Sequence, residues 1–388
     1  MTQTLPPAEW TLRADLAELV AALGKGNARY VGGAVRDTLL GCEVRDIDIA
    51  TPLEPVEVIA RLDAAGIRSV PTGLKHGTIT AIRDGDNVEI TTLRRDVSTD
   101  GRHAEVAFSN DWKEDAARRD FTINALYADP VTLEVFDWFG GLDDLRDNRV
   151  RFIGDARQRI REDHLRILRY FRFQARFGSQ LADEQAEVAC SELASTLKGL
   201  SRERIGWELQ NLLALPDPGP TVARMAELGV LGAVLPEAEP QALARLIEAE
   251  TREGIDADPI RRLAALLPPD PLAAERVAAR LRLSIAQKKR LIQAANRDGA
   301  GSEPRTLAYC IGREAAIDRL LLTDRATAAL HGWEIPVFPL KGGAIVARGV
   351  AAGPDVARIL RSVEAAWLAE GFPDEERVAQ LLDQRLSE

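Results

Sequence analysis

Cysteine is scarce in this chain. There are three in 388 residues, Cys42, Cys190 and Cys310, widely separated and in no C-x-x-C or Cys/His spacing. That pattern excludes a disulfide framework and a structural zinc site. Histidine is almost as rare, and the four present (His76, His103, His164, His331) make no metal-ligand pair. No run of about 18 apolar residues occurs, so no membrane span is expected. The opening stretch MTQTLPPAEW has no charged head followed by an apolar core. No secretory leader is therefore expected, and the reading is a cytoplasmic protein. Internal repeats and low-complexity tracts are missing as well.

What is present is ordinary for a globular chain: 46% hydrophobic and 28% charged residues. The length suits about two to four modules rather than one core. A net charge of −10 argues superficially against a nucleic-acid partner. Local patches decide that question, however, and two exist. Arg149 to Arg176 holds nine arginines against three acids, and Arg276 to Arg297 holds seven basic residues and no acid. The second stretch, with Lys288, Lys289 and Arg290 at its centre, fits an RNA contact and a solvated helix face equally.

The first 150 residues carry short β-type runs between glycine and Asn/Asp turns: ARYVGGAV, RDIDIA, HGTITAIR, NVEITTLR and LEVFDWF. VEITTL alternates as a half-buried strand does. From about residue 155 the chain is rich in Ala, Leu, Arg and Glu, with helical period, broken by PDPGP, LPPDP and EIPVFP. The expectation is a mixed α/β head followed by an all-helical remainder.

Chemistry concentrates at Asp46-Ile47-Asp48. On a strand, residues i and i+2 point to one face, which sets two carboxylates about 7 Å apart. Such a pair repels unless cations lie between, and Mg²⁺ favours carboxylate oxygens shared with substrate phosphates. Alone, the pattern also fits turn or surface acids. Nine residues upstream of this pair ends the run Gly32-Gly33-Ala34-Val35-Arg36-Asp37. Paired glycines let the backbone approach a ligand, the following helix start offers N–H groups to phosphate, and Arg36 adds a cation.

GGAVRDTLLG followed by RDIDIA resembles the head motif of the class II tRNA nucleotidyltransferase and bacterial poly(A) polymerase family, within the polymerase-β-like superfamily. Further stretches match in order. Arg118-Arg119-Asp120-Phe121-Thr122-Ile123-Asn124-Ala125 resembles the ribose- and triphosphate-binding motif, and Phe136-Asp137-Trp138-Phe139-Gly140-Gly141 the head–neck hinge. Glu162-Asp163-His164-Leu165-Arg166 through Phe173 resembles the base-reading motif. Ser201-Arg202-Glu203-Arg204 with Glu208-Leu209 resembles the motif that braces the neck. The match spans roughly residues 28–235.

The resemblance implies an α+β nucleotidyltransferase head, with a mixed sheet and helices, followed by an all-α neck, body and tail. The divisions expected are 1–147 (catalytic head), 148–205 (base-recognising neck), 206–335 (body) and 336–388 (tail), the last two binding tRNA. Asp46 and Asp48 would hold two Mg²⁺ ions. Gly33, Arg36 and Arg119 would grip phosphates, Asp120 and Asn124 the ribose, and Arg169 and Arg172 the nucleotide. Glu89 is a third carboxylate or a polar residue at a strand edge. Residues 94–108 resemble a flexible loop tied to the switch from C to A addition, and equally fit a plain surface loop. The phosphohydrolase domain of some relatives needs more histidines than four and is expected to be absent.

The base reader has its own physical logic. Asp163 and Arg166, three apart on a helix, would share a face. The carboxylate only accepts and the guanidinium only donates. Cytosine and adenine both show an amine beside an unprotonated ring nitrogen, whereas uracil and guanine show a carbonyl beside an N–H. Discrimination of ~1–3 kcal/mol per bidentate contact follows, with no template. The implied reaction is CCA addition to tRNA from CTP and ATP, with no membrane or obligate protein partner. A poly(A) polymerase, a partial A-adding or CC-adding enzyme, and a non-catalytic RNA-binding protein are the rivals. Leu39-Leu40-Gly41 runs straight into Cys42-Glu43-Val44-Arg45 with no basic insertion, and the chain closes RLSE rather than on a basic tail; both features favour CCA addition.

Overall fold

The computed structural model describes residues 3–83, 87–99, 104–179, 182–297 and 302–387. They divide into two compact units, Met1–Pro236 and Glu237–Glu388.

The first unit is built on strands β1 (Arg29–Val31), β2 (Ile47–Thr51), β3 (Ser69–Gly73), β4 (Thr78–Ile82), β5 (Asn87–Thr92), β6 (Arg94–Thr99), β7 (Ala104–Phe108), β8 (Tyr127–Ala128) and β9 (Val135–Phe136). Seven form one mixed sheet in the order β3-β4-β5-β2-β1-β8-β9. The β2–β5 pair is parallel and the other pairs are antiparallel. Alternation drives the pleat: Val88, Ile90 and Thr92 of β5 are buried while Asn87 and Glu89 face out. Helix α1 (Ala14–Leu23) packs on α3 (Pro55–Ala64), and α3 packs on β3 and β4. Helix α2 (Gly33–Leu39) lies against β1 and β2.

The segment 94–108 is not an irregular loop. β6 and β7 pair as a two-stranded hairpin with a bulge between Asp96 and Ser98, and its tip, 100–103, lies outside the described residues. LEVFDWF is a strand for two residues only. Asp137 then accepts from the backbone N–H groups of Phe139, Gly141 and Leu142, turning the chain into α5 (Gly141–Arg146) after α4 (Trp112–Ala117). A Cβ on Gly141 would stand 2.3 Å from the Thr122 carbonyl oxygen, so glycine is required at this close approach.

Helices follow from residue 156: α6 (Ala156–Glu162), α7 (Arg166–Phe177), α8 (Glu184–Glu192), α9 (Arg202–Leu213), α10 (Gly219–Glu227) and α11 (Val230–Val234). Phe121 of the RRDF segment packs with Phe152 (4.9 Å) and Phe173 (5.1 Å), and Tyr170 stacks on Phe152 (5.8 Å). This aromatic cluster joins the segment beside the sheet to α7.

The second unit contains α12 (Pro240–Glu253), α13 (Pro259–Ala265), α14 (Pro271–Arg280), α15 (Ile285–Ala295), α16 (Pro304–Ile311), α17 (Arg313–Leu322), α18 (Gly342–Val346), α19 (Pro354–Ala369) and α20 (Glu375–Ser387). Pro271, in a stretch that reads as a breaker, acts here as a helix starter, as Pro259 does. Asp258-Pro259 and Asp270-Pro271 place an N-cap carboxylate before a first-turn proline, which has no N–H to leave unpaired. Among the described residues no helix is long and apolar enough to cross a membrane.

Candidate active site

In the first unit, a cleft of about 380 Å³ opens between the sheet and the helices that follow it. Its walls include Asp48, Glu89, Arg118, Arg119, Asp120, Asp163, Arg166, Arg169 and Arg204. The parallel register of β2 and β5 sets Asp48 opposite Glu89. Glu89 is therefore on an interior strand, not an edge. Asp46 sits just ahead of β2 and is exposed, because the ladder starts at Ile47. The expectation that both acids of the pair ride on the strand is corrected to Asp48 alone.

Asp48 is pushed up to about 6, first by burial and then by the charge of Glu89, with Asp46 adding and Arg119 opposing. Negative charge is crowded here, and a cation would relieve it. Among the described residues no three acid, histidine or cysteine groups converge into a ready-made metal cage. An open pair of carboxylates suits an ion that takes its remaining ligands from phosphate and water, as Mg²⁺ does.

Gly32 adopts φ +69, and a Cβ there would lie 3.4 Å from Arg119 Nη1, so the turn into α2 needs glycine. Gly33 is the first residue of α2. Arg36 does not reach the cleft. It is 5% exposed, donates to Asp37 at 2.7 Å and to Asn124 Oδ1, and lies over the Phe177 ring at 4.3 Å.

The Arg118–Asn124 segment is held from beneath. Asp115 accepts from Arg118 (2.8 Å), Arg119 (3.3 Å) and Tyr127 (2.5 Å). Burial raises the Asp115 pKa, yet the two guanidinium charges and these hydrogen bonds outweigh it, leaving about 2. Asp120 accepts from Asn124 (3.0 Å) and Arg169 (2.8 Å). Burial again opposes, and Arg169 with Asn124 brings Asp120 down to about 2. Asp120 lines the cleft, whereas buried Asn124 backs it.

Asp163 and Arg166 both line the cleft, but not through helical spacing. Asp163 is the C-cap of α6, at φ −150 and ψ 107, and α7 begins only at Arg166. The break between two helices leaves both residues in the cleft lining, each with its own partners. Asp163 accepts from Leu165 N (3.1 Å) and from Arg204 Nη2 (2.6 Å). Arg166 donates to Glu162 (2.6 Å) and to the carbonyls of Arg159 (2.9 Å) and Arg118 (3.0 Å). Its fork is thus aimed by backbone from both sides. Arg172 is turned to Glu208 at 2.6 Å and is outside the lining.

Counting neighbours in sequence overstated both basic stretches. Eight of the nine arginines between 149 and 176 carry an acid partner, and only Glu162 among those acids lies within the stretch. Asp144 stands five residues before Arg149, whereas Asp37, Asp120, Asp183, Glu192 and Glu208 arrive through the fold. In the second unit, Lys288 pairs with Glu275 at 2.8 Å and Lys289 is exposed. Arg290 is no surface contact: it pairs with Asp318 (2.7 Å), Asp258 (2.8 Å) and Glu314 (2.8 Å). Sequence reasoning gave no role to Arg118 or Arg204, both in the lining. Arg118 adjoins the noted Arg119, and Arg204 stands in a noted motif; its pairing across 41 positions has no sequence signature.

This cleft sits in a chain whose residues 28–151 match the Poly A polymerase head domain and whose residues 183–241 match the probable RNA and SrmB-binding site of polymerase A. The class is therefore a nucleotidyltransferase head of the polymerase-β-like superfamily, whose members generally use divalent metal ions. The mitochondrial CCA tRNA nucleotidyltransferase 1 of Homo sapiens is 36% identical over 89% of this chain and 83% of its own, and that of Mus musculus is 35% identical with the same coverage. The Bacillus stearothermophilus CCA-adding enzyme, solved in complex with CTP, matches with TM-score 0.72 and 25% identity over 97% of this chain and 99% of that one. The chain belongs to the CCA tRNA nucleotidyltransferase family.

Proposed function

We propose that this protein adds C, C and A in turn to the 3′ end of tRNA, taking CTP and then ATP and working in the cytoplasm. The observation that carries the reading is one cleft with a crowded carboxylate pair, Asp48 and Glu89, on one wall and the Asp163–Arg166 reader on another. The tRNA 3′-oxygen bonds to the α-phosphorus of the nucleotide as the bond to the bridging oxygen breaks, and pyrophosphate leaves.

Asp48, with Asp46 at the strand entrance and Glu89 across the ladder, would hold Mg²⁺. That ion supplies a lowered pKa for the attacking hydroxyl and charge neutralisation on the triphosphate. Arg119 and Arg118 face the phosphates from a platform fixed by Asp115. Asp120, kept ionised by Arg169 and Asn124, accepts from the ribose. Gly32 and Gly33 keep the turn beside Arg119 free of side chain. Arg166 donates to the ring nitrogen of the base and Asp163 accepts from its amine, so C and A fit while U and G leave groups unpaired. Residues 1–147 serve as catalytic head and 148–205 as base-reading neck, with 206–335 and 336–388 holding tRNA through surface groups such as Lys289.

The test is incubation with tRNA lacking CCA and each nucleotide singly and in pairs. CTP alone should extend the RNA by two residues and CTP with ATP by three, while UTP and GTP add nothing. Long tails from ATP alone, or no extension, overturn the reading.

A further inference from the structure

All six tryptophans lie among the described residues, and Trp207 alone is exposed, at 57%. Its place is specific. On α9 it follows Arg204 by three residues, so the two share a helix face about one turn apart. Arg204 lines the cleft and grips Asp163. The Arg172 guanidinium lies 5.7 Å from the Trp207 ring, fixed there by Glu208, the residue after Trp207. Arg172 in turn stands one helical turn beyond Arg169, another cleft residue.

The surround of the ring selects its ligand. Trp207 has Glu203, Gln210 and Asn211 for neighbours on its helix face, so it is a single flat ring in a polar frame. That is a poor seat for the apolar centre of a protein partner, which needs a contiguous patch. A nucleobase needs only a π-face, and a cation beside that face strengthens it. Lys198, just before α9, and Arg202, its first residue, add positive charge at the N-terminal end of this helix. We propose that Trp207 is a stacking platform for an unpaired base of the RNA acceptor end, adjoining the nucleotide that carries the reacting 3′-hydroxyl. The proposal rests on the reading of the chain as a tRNA-extending enzyme.

The experiment compares Trp207→Ala and Trp207→Phe with the parent, using tRNA that lacks CCA. In Trp207→Ala the KM for tRNA should rise about 5- to 150-fold, the range for loss of one stacked base. The KM for CTP should hold, and Trp207→Phe should fall between. Intrinsic fluorescence should be quenched by this tRNA in the parent, and that quench should shrink sharply in Trp207→Phe, where five tryptophans remain. An unchanged tRNA KM in Trp207→Ala, or a CTP KM rising in step with it, overturns the platform. So does a quench that survives in Trp207→Phe. The parent's own nucleotide addition is measured on the same preparations. If it is lacking, the reading of function fails, and the fluorescence comparison still decides whether Trp207 meets RNA.

Discussion

Replacing Asp163 by alanine removes a structural pair and a reader at once, and the two losses are separable by size. Structurally, Asp163 gives one oxygen to Leu165 N (3.1 Å) and the other to Arg204 (2.6 Å). The Arg204 side chain is 38% exposed, so solvent takes over much of that pairing and the ion pair is worth at most about 1 kcal/mol. The lost acceptor for Leu165 N costs about another 1 kcal/mol. For a unit of 236 residues, a total of about 1–2 kcal/mol lowers Tm by roughly 2–8 °C, leaving it folded at assay temperature. Selectivity should change far more. With no carboxylate to penalise a carbonyl, UTP and GTP should improve against CTP and ATP by about 1–3 kcal/mol, or 5- to 150-fold in relative kcat/KM. The assay is the four-nucleotide kcat/KM profile on tRNA lacking CCA, with a thermal melt of the same sample. A uniform fall for all four nucleotides would make Asp163 a brace for α9 and refute the reader.

Asp48→Ala should abolish addition in the presence of Mg²⁺ with no loss of thermal stability, since burial and Glu89 already disfavour that charge; activity above a few per cent removes it from the metal site. Arg290→Ala should destabilise the second unit by ~3–5 kcal/mol in denaturant melts, because Asp318, at 0% exposure, keeps only Arg261 at 3.5 Å among the described residues. Lys289→Glu should instead leave stability alone and raise the KM for tRNA but not CTP, with a shallower salt dependence. Asp115 ionises at about 2 in the fold against an ordinary 3.8. That depressed value contributes about 2 kcal/mol above pH 4, lost as pH falls through 2. Asp115→Asn should therefore be less stable at pH 7 and show a flatter acid limb between pH 4 and 2; an unchanged limb would deny the Arg118–Arg119 platform its anchor.

Sequence by itself determined the division into a sheet-bearing head and a helical remainder, because hydrophobic period changes from two to about 3.6 near residue 155 and period is local. It also determined that Asp48 faces away from the core, since Ile47 and Ile49 flank it on a strand. Tertiary structure alone decided what those groups meet. Glu89 became a partner of Asp48 through a parallel crossover between β2 and β5, and nothing in the intervening forty residues encodes that register. Arg36, Arg172 and Arg290, each read as facing a ligand, are turned inward by Asp37 and Asn124, Glu208, and Asp318. A guanidinium's charge is visible in sequence, but its direction depends on the acid nearest in space. Asp163 and Arg166 were paired by spacing on one helix, yet a helix break and Arg204 place them. Residue type states what a group can donate or accept, and packing decides to whom.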